Sequence, residues 1–410
     1  MYKKQRIGIG VLLCWSASHL HAAGFYLKEQ SIVSQGQAFA GVAAQSGLAS
    51  ATYFNPAGLH SIEEKSFEGG VHLLVLDQEV SNNGTTDIGN NDDLVTDQSP
   101  LSNSVIPNLY WAQPLGNGVI GFGVNSPFGS KNEYQSDYFG AYDHISADLK
   151  TVDYTIALGQ QINENLSLGG SIFYQKLDVE QSKLSTTTNT LAVLKGDASD
   201  IGFSFGLQYR KNDTVLGFSH RSGTTHDIVG TNSIPALSLS YATSATMKLP
   251  SITSLGIEQQ FNEKVMLYAG TTYYDWSVYD SLTTVTPAAS PSTATTYNNY
   301  KDTVSYSVGM NYQYNNELEL RGGLHYDPTP TNDTDRSHST PDGDRTWLSF
   351  GGSKKMDNDL MLDVAYSYIH MDDTAVNKEV LDSSGSQHSW ARSNVSAGHH
   401  ILSVGVRKTF

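Results

Sequence analysis

The ten residues Ile201 to Arg210 alternate without a break. Ile201, Phe203, Phe205, Leu207 and Tyr209 fall on one side of an extended chain, and Gly202, Ser204, Gly206, Gln208 and Arg210 on the other. Successive strand side chains point to opposite faces, so this segment offers one face to an apolar medium and one to polar groups. The pattern returns at Val304, Tyr306, Val308, Met310 and Tyr312 against Ser305, Ser307, Gly309 and Asn311. It returns again at Val152, Tyr154, Ile156 and Leu158 against Asp153, Thr155 and Ala157. Period two marks two-faced strands. No apolar run reaches the ~18 residues of a membrane-spanning helix, which excludes a helical membrane protein.

Segments of this kind lie at approximately 66 to 80, 104 to 115, 119 to 128, 148 to 162, 166 to 183, 198 to 211, 214 to 230, 244 to 261, 265 to 284, 301 to 314, 318 to 328, 345 to 356, 360 to 376 and 397 to 410. That predicts fourteen strands. Tight turns (GNG at 116, NEN at 163, KND at 211, NEK at 262, NNE at 315, DND at 357) alternate with much longer links. Short and long ends on opposite sides are the topology of an outer-membrane barrel, with brief periplasmic turns and long external loops. Phe410, ending the run Leu402, Val404, Val406, fits a last barrel strand. Tyr273, Tyr274 and Trp276, or Tyr366 and Tyr368, fit interfacial girdles. A soluble β-sandwich or secreted β-helix is the alternative, but aromatic-rich outward faces suit lipid better.

Composition agrees. Of 410 residues only 16% are charged, with 37 Gly and 23 Tyr, which fits extensive β structure. The 41 Asp and Glu against 25 Lys and Arg give a net charge of -16, which argues against nucleic acid as a partner. Lys3, Lys4 and Arg6, then Ile7 to Trp15, then Leu20-His21-Ala22 read as an export signal over residues 1 to 22. Cys14, the single cysteine, falls inside it, so the mature chain is expected to lack disulfides.

Residues 23 to 62 precede the first strand and lack its alternation. Gly36, Ala38, Ala40, Gly41, Ala43, Ala44 and Gly47 suit close packing in short helical turns, and the enclosed space available is the barrel lumen. A plug follows, with the barrel spanning residues 63 to 410. Asn55-Pro56-Ala57-Gly58 is a turn at the boundary, since the residue before Pro is biased away from helix.

AGFYLKEQS, GQAFAGVAA and NPAG resemble the N-terminal hatch of the FadL family of outer-membrane transporters for long-chain fatty acids and, in TodX-type relatives, aromatic hydrocarbons. FSHRS at 218 to 222, LPSITSLG at 249 to 256, DTVSYSVGMNYQYNNELELRGGLHYD at 302 to 327 and PDGDRTWLSFGGS at 341 to 353 occur in that family's order. The resemblance covers essentially the whole mature chain. It implies a transmembrane 14-stranded antiparallel barrel in the Gram-negative outer membrane, with the hatch in its lumen. It also implies capture of a hydrophobic ligand on external loops, binding in the lumen, and sideways release at a kink in the third strand. Asn55, Pro56 and Ala57 would then face that opening.

The sequence offers candidates for each part. VIGFGVNSPFGS holds Gly121, Gly123, Pro127, Phe128 and Gly129, and Pro removes a ladder donor while Gly weakens pairing; a strand ending in a Pro-Gly turn is the plainer alternative. LAVLKG and SIPALSLSYA place Leu191, Val193, Leu194, Ile234, Leu237 and Leu239 in external links, where they either meet ligand or pack as a lid. An ionised head group leaving water needs charge-assisted hydrogen bonds. Phase puts Arg221, Lys248 and Arg321 inside, with His325; pairing with inward Asp153, Glu258, Glu319 or Asp363 is the structural alternative.

Among rival functions, a lipase- or protease-type barrel needs a nucleophile held by a base. His399-His400 point to opposite faces, and His60, His220, His226 and His338 are scattered, so no triad or metal spacing emerges. Neither a cofactor nor a metal is expected. An open porin begins with a strand, unlike this chain. Use of the long polar loops for adhesion or phage binding is the third reading, and the expected partners are outer-membrane lipid and, during biogenesis, the barrel-assembly machinery.

Overall fold

The computed structural model describes residues 24–85, 97–289, 292–382 and 385–410. The export-signal reading of residues 1 to 22 lies outside the described residues. Twenty ladder segments form one antiparallel sheet, and six of its staves are each interrupted once, which leaves fourteen. In chain order they are β1 (Ser66–Val75, resumed at Gln78–Asn82), β2 (Ser104–Leu115), β3 (Gly118–Asn125 and Gly129–Glu133), β4 (Ser146–Gln161), β5 (Leu166–Leu184), β6 (Leu191–Lys211) and β7 (Thr214–Arg221 and Thr224–Ile234). The rest are β8 (Leu239–Leu249 and Ile252–Asn262), β9 (Val265–Tyr274 and Ser281–Val285), β10 (Thr293–Tyr297 and Thr303–Gln313), β11 (Leu318–Asp327), β12 (Arg345–Lys355), β13 (Leu360–Leu381) and β14 (Gln387–Thr409). β14 returns to β1, from Ser66↔Thr409 to Val75↔His400, and closes the barrel. Closure joins the first stave to the last, which is how a strand-built wall satisfies most of its backbone in lipid.

The alternation holds in space. Ile201 and Phe203 are 66% and 56% exposed on the outer face, whereas Asp153 and Gln175 are fully buried on the inner one. Several staves run past their predicted ends: β6 begins at Leu191 and β14 at Gln387, so LAVLKG and most of 377 to 396 are wall, not loop. Outside the membrane a strand no longer needs an apolar outer face, so the alternation that locates it in sequence weakens there.

Residues 24 to 61 lie within the barrel, almost wholly buried, as two short helices, α1 (Ile32–Gly36) and α2 (Ala51–Phe54), and a 3₁₀ turn at Pro56–Ser61. Wall glycines make room for them. Gly159, Gly169 and Gly206 stand in cross-strand register on β4, β5 and β6. A Cβ on Gly169 would lie 2.3 Å from the Ala57 nitrogen, and one on Gly206 1.8 Å from Asn55 Oδ1. No side chain fits at that approach, so these glycines serve contact with the plug. The Asn55 side chain caps the turn through Ala57 N (3.0 Å) and donates to Ala43 O, Leu207 O and Phe218 O at 2.5, 3.3 and 3.2 Å. Asn-Pro-Ala therefore seats against β4 to β7, and the expectation that it faces the third-strand opening is corrected.

Candidate functional site

The wall is open between β2 and β3. Their ladder runs from Leu115↔Gly118 to Leu109↔Val124 and stops, and the second half of β3 has a ladder with β4 and, among the described residues, none with β2. Beyond Leu109, Val105 to Asn108 of β2 have no ladder pairing with β3 among the described residues. Pro127 and Phe128 sit in the break and Gly129 resumes the strand, whereas Gly121 and Gly123 keep regular pairing with Ala112 and Tyr110. The two glycines instead face the plug: a Cβ on Gly121 would meet Thr52 Oγ1 at 2.3 Å. Outward Val105 and Leu109, 38% and 41% exposed, put the opening at the level of the lipid-facing band.

The N-terminal segment fills that opening. Leu27 N donates to Pro127 O (2.7 Å), Gly129 N donates to Phe25 O (2.9 Å), and Tyr26 bridges Phe128 as an antiparallel pair. Gln30 Nε2 donates to Ser126 O at 2.8 Å, and Tyr110 Oη donates to Gln30 O at 2.9 Å. Residues 25–27 stand where a wall strand is missing. The Asn125 side chain beside them is buried with neither polar atom bonded, a seal incompletely satisfied.

Behind the seal lies an apolar interior of Phe25, Tyr26, Tyr53, Phe128, Leu149, Leu177, Met247, Leu249, Tyr274 and Trp276. The expectation for Lys248 fails here. Met247 and Leu249 are the inward residues and Lys248 is exposed outside. Near the external end of the barrel the polarity inverts, with apolar side chains lining the lumen and charges facing headgroups and water. A phase argument that equates apolar with outward therefore gives the wrong side.

Arg221 points inward, 7% exposed, at the border between this interior and a polar network. One terminal nitrogen pairs with Asp153. Asp153 accepts from Gln175 Nε2 at 2.7 Å, and Gln175 Oε1 accepts from Thr224 Oγ1 and contacts His226 Nε2, each at 2.9 Å. The guanidinium carbon lies 3.4 Å from the Phe173 ring centroid and 5.1 Å from that of Tyr53. The other terminal nitrogen, Nη1, is buried and unbonded. Arg321 also points inward but lies towards the periplasmic end, in a polar cleft of about 270 Å³ with Glu258, Glu319 and Arg407. Its Nη2 donates to Glu319 (2.5 Å) and Ser353 (2.7 Å).

Lys28 is a cation the phase argument missed because the plug carries it. Its Nζ bonds Tyr274 Oη at 2.5 Å and pairs with Asp327 at 3.3 Å, all buried. The apolar residues expected to meet ligand outside come together at two neighbouring hairpin tips. Ile234 faces Leu239 across the β7–β8 hairpin, whose tip carries Leu237, and Val193 and Leu194 pair with Ser233 and Asn232. Leu191, Leu237 and Leu239 are exposed, while Leu194 lines a narrow crevice with Val179, Ile228, Met247 and Leu282 that reaches the interior.

One grouping was illegible in sequence. Ser393 Oγ lies 3.0 Å from His338 Nε2, and His338 Nδ1 lies 3.1 Å from Asp143 Oδ2, the order of a nucleophile–base–acid relay. Ser393 and His338 are fully buried, and Tyr134, Tyr138 and Phe139 ring the imidazole. With Lys378 at 3.7 Å from Asp143, the group ties three external segments together.

A fourteen-stave barrel with a filled lumen, an apolar interior and a gap in its wall defines an outer-membrane transport protein, in which cargo passes the interior of the wall. The chain belongs to the outer membrane protein transport protein family (OMPP1/FadL/TodX), whose profile matches residues 13–410. It is 24% identical over 423 residues to a long-chain fatty acid transport protein of Escherichia coli, covering 90% of this chain and 91% of that one. It is 25% identical over 407 residues to outer membrane protein P1 of Haemophilus influenzae, covering 86% and 87%. Its fold superposes on a crystal structure of a Pseudomonas aeruginosa FadL homologue with a TM-score of 0.86 (21% identity; 95% and 100% covered). The toluene transporter TodX of P. putida gives 0.69 (19% identity; 93% and 98% covered).

Proposed function

We propose that this protein carries long-chain fatty acids passively across the outer membrane, from the apolar hairpin tips through the lumen to the gap between β2 and β3. The observation that carries the reading is the gap itself, an opening at lipid depth closed by three residues of the plug and not by wall. A porin would open along its axis; here the axis is filled by residues 24–61, and the side is closed only by the short pairing of residues 25–27 with the β3 break.

The chemistry fits an amphiphile. The acyl chain gains about 0.8 kcal/mol per buried methylene, so roughly a dozen methylenes gain about 10 kcal/mol. The backbone bonds of residues 25–27 to the break are worth about 1 kcal/mol each. Ligand binding therefore has ample free energy to displace that short pairing. Arg221 Nη1 faces the apolar interior with a donor to spare, which suits a carboxylate arriving beside Asp153. The fatty acid transport protein among the relatives supports this cargo, and the toluene transporters among the structural neighbours support an uncharged aromatic as the second reading. The buried Ser393 leaves a substrate no access, so the Asp143–His338–Ser393 group is read as a tether and the protein as a transporter without enzymatic activity. Outer-membrane lipid and, during biogenesis, the barrel-assembly machinery are the further proposed partners.

Mass spectrometry of ligand extracted from protein purified out of oleate-fed cells tests the reading. Bound fatty acid is the expected result. Retention of aromatic hydrocarbon in preference to oleate, when both are offered, would favour the second reading.

A further inference from the structure

The wall has a second discontinuity, across the barrel from the first. The β8–β9 ladder holds up to Ile252↔Tyr274 and resumes only at Ala245↔Thr284. Between those points residues 246–251 and 275–283 have no ladder partner across the seam among the described residues, and the one backbone bond that spans it there is Asp275 N to Ser251 O (3.1 Å). Pro250 sits in the β8 break, where it removes a donor. On the β9 side the chain leaves the strand for a short 3₁₀ turn, Trp276–Val278. Tyr273, 39% exposed and bonded to Asp302, marks the aromatic belt just below, so the seam lies at the outer-leaflet interface.

Both faces of this seam are built for an amphiphile. Inside it stand Met247, Leu249, Trp276, Tyr279 and Tyr300, all part of the apolar interior. Outside it Lys248, exposed, stands within the unpaired stretch of β8. An ionised lipid in the outer leaflet carries its head at that depth and its tail below. An aromatic row continues from the seam across the lumen: Tyr279 to Phe25 at 5.1 Å, Trp276 to Phe25 at 4.9 Å, and Phe25 to Phe128 at 6.2 Å. Phe25 thus touches both discontinuities.

We propose that the β8–β9 seam is a lateral intake through which membrane-partitioned carboxylate amphiphiles pass from the outer leaflet into the lumen, with Lys248 meeting the head group. This rests on the fatty acid reading above and adds a second source of cargo, the membrane, to capture from water. The tail slides between Leu249 and Trp276 onto the aromatic row. Any ligand that reaches Phe25 also presses on the segment that seals β3, so intake and release share one residue.

Thr246→Cys with Thr283→Cys tests it. These exposed positions are the first unpaired ones beyond Ala245↔Thr284, so a disulfide there holds the seam shut and a reductant frees it. Oleate is supplied either within the bilayer of a nanodisc or from water to detergent-solubilised protein, and retained ligand is counted by mass spectrometry. The expected result is loss of most loading from the bilayer in the oxidised protein, recovery on reduction, and unchanged loading from water. Lys248→Glu, which leaves the ladder intact, should reduce loading from the bilayer alone. Equal loading of oxidised and reduced protein from the bilayer overturns the intake. Failure of unmodified protein to load oleate by either route overturns the fatty acid reading, and the intake with it.

Discussion

Arg221 and its neighbours carry the most direct consequences at the scale of single residues. Removing one partner of a buried ion pair leaves an uncompensated charge, at a cost of about 3–5 kcal/mol. Arg221→Gln alone therefore confounds stability with binding. The double change Arg221→Gln, Asp153→Asn keeps the site neutral and hydrogen-bonded. It is expected to lower oleate affinity roughly tenfold, about 1.4 kcal/mol, and to leave toluene binding unchanged. Equal loss for both ligands, measured by calorimetry in detergent, would assign Arg221 to structure. Phase along β7 was enough to place Arg221 inside, because Phe218 beside it meets lipid. The same argument misplaced Lys248, since Met247 and Leu249 line an apolar lumen and not the outer face. Nothing local distinguishes the two cases; only depth along the strand does.

His144 gives a pH signature in the external cap. Burial holds its imidazole far below the ordinary range, at about 3, although Asp143 pulls the other way. Burial also opposes ionisation of Asp143, yet Lys378 and the hydrogen bonds from His338 together hold that carboxyl below the usual range. As pH falls below about 6.5, an unfolded cap takes up a proton that folded His144 refuses, so stability declines from there towards about pH 3. The Asp143 contribution is present above the usual carboxylate pKa of about 4 and is lost only as pH drops through its depressed value. Amide protection factors over residues 134–145, corrected for the intrinsic pH dependence of exchange, should fall between pH 7 and pH 5 relative to those of the barrel wall. Unchanged protection factors would remove His144 from the cap's stability.

Among the elements, the plug and the wall fit through glycine. Gly169→Val would place side-chain atoms where the backbone of Pro56 and Ala57 lies, and small-to-large changes in packed sites cost about 1–3 kcal/mol or more. The expected result is a folded barrel with a displaced plug, seen as raised ion conductance in planar bilayers. Wild-type conductance would mean that the plug adapts. In sequence these glycines read as weak strand positions; that they form a register across β4, β5 and β6 appears only once the staves are paired. The third-strand break was legible from Pro127, but Gly121 and Gly123 were drawn into it by proximity, and the residues that close it, Phe25 to Leu27, lie about a hundred residues earlier in the chain. The Ser393, His338 and Asp143 group is of the same kind, three distant segments joined by folding.

For the whole molecule, fourteen strands were countable because lipid imposes the same outer face on every one of them. Their external extensions were not, because that constraint ends at the headgroups. On the proposed function the barrel is a passage with a side exit, which requires residues 25–27 to leave β3 before cargo passes. Tyr26→Cys with Phe128→Cys places a disulfide across the one pairing that seals the exit. Oleate uptake by cells carrying this variant, with and without reductant, is the most direct measurement. Uptake should be lost in the oxidised protein and restored on reduction, while oleate still binds the purified oxidised form. Full uptake by the oxidised protein would contradict release through the β2–β3 gap.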